Sequence, residues 1–173
     1  MSQPSEITAD PRLDEAIKDD LLQLVSFEIG EEEYAIPILA VQEINRLMPI
    51  TRVPHTAKAV EGVINLRGRI IPVVNMRQRF GLAPSADTAE ARIIVVEVGA
   101  ESRVIGFTVD RVHEVLRLDG SIVDPTPTAG QVNNSEFIRG VGKLEDRLLI
   151  LLDLQKLFTP KDFAAAQAAA QAA

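Results

Sequence analysis

Residues 62–80 read GVINLRGRIIPVVNMRQRF and residues 140–158 read GVGKLEDRLLILLDLQKLF, two stretches of equal length that align without a gap. Gly62 answers to Gly140, Val63 to Val141, Leu66 to Leu144 and Arg69 to Arg147, and each copy carries an apolar run, at 70–74 and 148–152. Asn75 and Asp153 follow these runs. An Asn or Asp at that place predicts an N-cap that opens a short helical turn, closing here on Phe80 and Phe158. A second echo lies upstream in both halves: Tyr34-Ala35-Ile36-Pro37-Ile38 matches Ile105-Gly106-Phe107-Thr108-Val109, and Val41-Gln42-Glu43-Ile44 matches Val112-His113-Glu114-Val115. The blocks keep the same order, so the chain reads as two copies of one small unit.

Outside the repeat, the signal is mostly strand. Val25, Phe27 and Ile29 alternate with Ser26 and Glu28, and Gly30 with three glutamates turns the chain into Tyr34, Ile36 and Ile38, a β-hairpin pattern. Ile94, Val96 and Val98 lead through residues 99–102 into Ile105, Phe107 and Val109 in the same way. Pro37 and Pro72 fall inside strand-like stretches, which places them at an edge, a bulge or a strand end. Short curved strands of this kind predict an all-β fold of two small β-barrels packed together. The units span about 21–83 and 90–159 within a domain of 21–159, strand exchange between them being allowed. Residues 84–90 read as the junction and 124–134 as an exposed loop rich in Pro, Thr, Gly and Asn. Residues 1–20 read as an acidic N-terminal tail or weakly docked helix, and 160–173 as an Ala-rich C-terminal tail with no readable chemistry.

Composition narrows the function. At 173 residues and 46% hydrophobic content the chain can bury a sizeable core. Its net charge of -7 disfavours nucleic acid and anionic membrane surfaces, and no basic block offsets it. Aromatics are only 4% of residues, too few for a stacking platform for single-stranded nucleic acid. The absence of cysteine excludes thiolate chemistry and disulfides and suits a reducing, cytoplasmic compartment. No leader pattern opens the sequence and no apolar run nears the roughly 20 residues that span a bilayer, so membrane association is expected only through a partner.

The chemistry of catalysis is thin. His55 and His113 lie far apart without a serine nucleophile motif, and both read as surface or rim residues. No metal-ligand spacing and no phosphate-cradling loop appears, so neither metal nor cofactor is expected. Surface binding is the remaining reading, and Glu43 and Arg67, each a charge set in an apolar segment, are the candidates to carry it, against the plainer reading of each as the outward residue of a strand or turn. An exposed ion pair between them would add only about 0–1 kcal/mol, too little to make stability its main role. Arg67 aligns with Glu145 and Glu43 with Glu114, so the second half is expected to lack the same acid and base pair.

At the phrases FEIGEEEYAIPILAVQEI, VEGVINLRGRIIPVVNMRQRFG, VIGFTVDRVHEVL and IRGVGKLEDRLLILLDLQKL the sequence resembles the CheW family of bacterial chemotaxis coupling proteins, from about residue 22 to 158. The resemblance implies two five-stranded, SH3-like barrels around a shared hydrophobic seam, with short helical turns. It implies a non-catalytic, cytoplasmic adaptor that joins chemoreceptor cytoplasmic tips to the regulatory domain of the histidine kinase CheA. It also implies recruitment to membrane-associated receptor arrays and contacts with other CheW-like subunits in rings. By motif, Val41, Glu43, Ile44 and Arg67 carry over as binding residues, Val109 and Val112 as groove residues of the second half, and Gly62 and Gly68 as structural turn residues. A paralogous CheW-like adaptor of another chemosensory pathway, such as one for twitching motility or development, is the alternative. Ala57 and Ala59 depart from the family, which often carries a proline and an aromatic there, and this puts the partner contact of that loop in doubt.

Overall fold

In a computed structural model, which describes residues 21–52, 60–85, 88–124 and 137–158, both sequence hairpins form. The first joins β1 (Leu21–Ile29) to β2 (Glu32–Pro37), and the second joins β6 (Arg92–Val98) to β7 (Arg103–Val109). Between them lie β3 (Val41–Arg46), β4 (Val60–Leu66), β5 (Arg69–Asn75) and α1 (Met76–Arg79). After them come β8 (Arg111–Asp119), β9 (Val123–Asp124), β10 (Ile138–Lys143), β11 (Leu148–Leu152) and α2 (Leu154–Leu157).

The strands assemble into two mixed sheets, β8-β1-β2-β11-β10-β9 and β3-β6-β7-β5-β4. Strand for strand, β8-β1-β2-β11-β10 occupies the places of β3-β6-β7-β5-β4, which is the sequence repeat realised in hydrogen bonds. Each sheet nevertheless draws on both halves of the chain. The β1–β2 hairpin pairs with β8 and, in parallel, with β11 of the second half, while β6–β7 pairs with β3 and, in parallel, with β5 of the first. Each stretch of about 21–83 and 90–159 is therefore split between the two sheets.

Three apolar clusters follow from period-two side-chain alternation. Leu22 and Leu24 of β1 point with Leu118, Leu149 and Leu151 into the interior of the first sheet. Ile93 and Val95 of β6 point with Ile64, Ile71 and Val73 into the interior of the second. The alternate residues, Phe27 and Ile29 of β1 and Ile94, Val96 and Val98 of β6, meet between the sheets in the largest cluster, together with Phe107, Leu152, Leu157 and Phe158. Strands buried on both faces need near-continuous apolar runs, and Ile93-Ile94-Val95-Val96 supplies one. Two small barrels around a shared hydrophobic seam are the result.

Aromatic rings run along that seam. Phe107 lies 5.6 Å from Phe27 and 5.7 Å from Phe158, and Tyr34 stacks between Phe27 at 6.2 Å and Phe80 at 5.2 Å. Burial, aided by the charge of Glu32, pushes the Tyr34 phenol up to about 12 from an ordinary value of 10.0. Unfolded chain therefore ionises first, and folding stability contributed by this group is present below pH 10 and lost as pH rises towards 12. The chain holds one tyrosine and no tryptophan, so absorbance of the phenolate reads this group alone. The expected midpoint is near pH 12 for the folded protein and near 10 in denaturant; a folded midpoint near 10 would place Tyr34 in water.

Local chemistry ends the repeats as the sequence predicts. The Asn75 carboxamide oxygen accepts from Gln78 N–H at 3.0 Å, and the Asp153 carboxylate accepts from Gln155 and Lys156 N–H at 3.1 and 3.3 Å, so each opens its helical turn. Arg139 balances the buried Asp153 at 3.0 Å. Pro37 closes β2, as a residue without N–H should. Pro72 sits within β5, but the parallel ladder to β7 begins one residue later, at Val73, so its missing donor falls outside that ladder. At the junction of the sheets Arg77 grips Asp110 through two hydrogen bonds of 3.1 and 2.7 Å, while Asp110 also accepts from Gly30 N–H at 2.8 Å.

Candidate functional site

The two edges of the second sheet approach each other, and Thr51, beyond β3, bridges to Val63 of β4. β3 and β4 are its outermost strands, yet Glu43 of β3 and Arg67 of the β4–β5 turn form an ion pair, which requires the sheet to curl until its edges meet. The turn that presents Arg67 is a two-residue hairpin with Arg67 at φ 54 and Gly68 at φ 84. Positive φ at both central positions is the type I′ geometry that matches strand twist, and it favours glycine at the second place. Asn65 Oδ1 accepts from Gly68 N–H at 2.9 Å and pins the turn. Gly68 thus serves turn geometry. Glu43 is held in turn by Asn45 Nδ2, which donates to its other oxygen at 3.2 Å. The Arg67 side chain is 71% exposed and that of Glu43 24%, so the guanidinium is presented to solvent with one edge already fixed.

The first sheet carries a counterpart that alignment by position conceals. Glu114 of β8, which matches Glu43, pairs with Arg147 at 3.3 Å, so the second half does possess an acid and base pair. The base stands two residues beyond Glu145, at the place of Arg69, and a long side chain reaches back across the turn. This pair is the more deeply anchored one. Arg147 Nε–H also donates to Glu33 at 2.6 Å, and that hydrogen bond is the main reason its pKa stands above the ordinary value, burial acting the other way. Arg147→Ala would strand the Glu33 carboxylate, whose side chain is 10% exposed, and is expected to cost about 2 kcal/mol in urea unfolding. Arg67→Ala is expected to cost under about 1 kcal/mol. Equal losses in the two variants would deny the difference in anchoring.

Around the Glu43–Arg67 pair the other expected residues divide by depth. Ile44, the next residue of β3, is 39% exposed, and Val41 and Val112 are half-buried against the seam. Val109 departs from its expected place in a partner-facing groove. It shares a face of β7 with Ile105 and Phe107 and lies 2% exposed in the seam. Gly62 departs too, because it serves close approach and not a turn. It lies within β4, where Thr51 bridges to Val63 by hydrogen bonds of 2.8 and 2.9 Å, and a Cβ there would fall 2.2 Å from Thr51 O. His113 is exposed on β8 and meets Glu28 at 2.5 Å, while His55 lies outside the described residues.

A family model described as the CheW-like domain matches residues 23–161 of this chain. The chain is 39% identical over 145 residues to the chemotaxis protein CheW of Helicobacter pylori, covering 84% of this chain and 86% of that one. It is 37% identical to the chemotaxis protein CheW of Thermotoga maritima, covering 84% and 91%. In structure it is similar to the scaffolding protein TtCheW of Thermoanaerobacter tengcongensis, with a TM-score of 0.74 and 34% identity over 82% of this chain and 95% of that one.

Proposed function

Because this chain belongs to the CheW-like family, we propose that it is a coupling adaptor of chemotaxis that joins the cytoplasmic tip of a chemoreceptor to the histidine kinase CheA. The adaptor works without catalysis of its own, by presenting surfaces, and is recruited to membrane-associated receptor arrays through its partners. Among the described residues no helix is long and apolar enough to cross a membrane, which fits recruitment by contact. The observation that carries the reading is the Glu43–Arg67 pair. A rigid hairpin turn holds a solvent-facing guanidinium against the Glu43 carboxylate of a strand edge, a fixed charge suited to orienting a protein partner.

The reading is tested by sedimenting CheA with receptor-containing membranes in the presence and absence of this protein. Kinase is expected in the pellet only when the adaptor is present. Arg67→Glu sets two carboxylates against each other at the contact, and a loss of about 2 kcal/mol there weakens recruitment about 30-fold. Melting temperature should stay nearly unchanged, since the pair contributes about 0–1 kcal/mol to folding. Recruitment unaffected by Arg67→Glu would remove this surface from the coupling contact, and a large fall in melting temperature would make Arg67 a structural residue.

A further inference from the structure

On the face of β3 that Glu43 does not use, two like charges meet. The ladder between β3 and β6 ends on Arg46 and Arg92, directly opposite each other. Opposed residues of an antiparallel pair send their side chains to the same side, with Cβ atoms about 5 Å apart, and like charges there weaken the sheet. No acid relieves them. Neither arginine forms an ion pair among the described residues, and the acids nearest in sequence are turned elsewhere, Glu43 to Arg67 and Glu90 to Arg111 at 4.0 Å. The fold does not demand the arrangement, because at the matched register of the first sheet Arg117 of β8 faces a neutral residue, Gln23 of β1. Composition does not explain it either, since the chain as a whole carries a net charge of -7.

Arg92 is also held in place. Its Nη1 donates to Ala89 O and Ala91 O, both at 2.8 Å, which fixes one corner of the guanidinium and leaves its Nε and Nη2 donors without a partner among the described residues. We propose that Arg46 and Arg92 together grip one carboxylate, an aspartate or glutamate side chain of a protein partner. A carboxylate set between two guanidinium groups turns the repulsion of the free chain into attraction in the complex. Ile44 favours a protein over other anions: it shares this face of β3 with Arg46, two residues away, and is 39% exposed. An apolar side chain about 7 Å from the docked acid covers it, a contact that inorganic phosphate cannot make. The negative charge of the whole chain opposes nucleic acid and anionic bilayers. This contact stands whether or not coupling runs through Glu43 and Arg67, which belong to the other side of the strand.

The test is a titration of the isotope-labelled full chain with acetyl-Leu-Thr-Glu-Thr-amide, followed by NMR, with the glutamine analogue, inorganic phosphate and phosphatidylglycerol vesicles as comparisons. The acidic peptide is expected to shift the signals of residues 44–46 and 92 in a saturable way, the Arg92 Nε–H among them, and the glutamine analogue to leave them in place. Arg46→Gln and Arg92→Gln should each weaken binding about fivefold. The double variant should lose less than the product of the two, since both groups act on one carboxylate. Arg117→Gln, an equal charge change at an exposed site, is expected to weaken binding less than about twofold. Melting separates a binding role from a structural one: without peptide, Arg46→Gln should raise the melting temperature by about 1–3 °C as the opposed charges are relieved. Should Arg92→Gln loosen the loop it holds, Arg46→Gln alone serves, since Arg46 is exposed. A lower melting temperature for Arg46→Gln, equal losses in Arg46→Gln and Arg117→Gln, equal shifts with phosphate or the glutamine analogue, or a response to vesicles alone would each overturn the proposal.

Discussion

Phe107→Ala is expected to destabilise the protein by about 4 kcal/mol, in a single cooperative unfolding transition. Phe107 is wholly buried, and its ring touches Phe27 of the β1–β2 hairpin and Phe158 at the close of the second repeat. Truncation would open a cavity in the cluster that both sheets share, not in the interior of one. The exchange of hairpins strengthens the expectation, because each sheet is built from both halves of the chain and loss of one removes strands from the other. Urea unfolding followed by circular dichroism is the measurement. Two separated transitions, or a loss below about 1 kcal/mol, would show that the barrels stand independently and that the seam is incidental.

Gly62→Ala is expected to cost about 3 kcal/mol, a large effect for one methyl group. The added carbon would meet Thr51 O at 2.2 Å, Thr51 C at 2.8 Å and Ile50 Cγ2 at 2.9 Å, and the first two are backbone atoms that cannot turn aside. Relief requires the segment at Thr51 to move off β4, breaking the paired hydrogen bonds to Val63 and baring the edge of the strand. Gly68→Ala is a useful contrast. It has open space around its Cβ position and a φ of 84, so its penalty is backbone strain of about 1 kcal/mol. Reversal of this order, with Gly62→Ala the milder change, would contradict the close-approach account.

Much of the fold was legible because the repeat fixes both the kind of unit and its number. The hairpins at Gly30 and at 99–102, the caps at Asn75 and Asp153 and the face of each strand all follow from local chemistry and period-two alternation. Strand neighbours are another matter. Alternation says which side chains share a face, but it is silent on whether β2 pairs with β5 or with β11, whose apolar runs are equivalent. Glu43 and Arg67 were readable as isolated charges in apolar segments, and they meet. The Glu114–Arg147 pair was not, because positional matching set Glu145 opposite Arg67 and ignored the reach of a guanidinium two residues on. Gly62 misled for a similar reason: the atom that demands glycine belongs to Thr51, across a contact no local pattern displays. Val109 looked like a surface candidate by motif, whereas its alternation with Ile105 and Phe107 already placed it in the seam.

The proposed coupling of receptor to kinase runs through the surface centred on Glu43 and Arg67. The decisive measurement is autophosphorylation of CheA with receptor-containing membranes and with either this protein or its Arg67→Glu variant. Strong stimulation is expected from the unaltered protein, and little or none from an equally folded variant. No stimulation by the unaltered protein with its cognate receptor and kinase would contradict the coupling role. Equal stimulation by both would contradict the place assigned to Arg67.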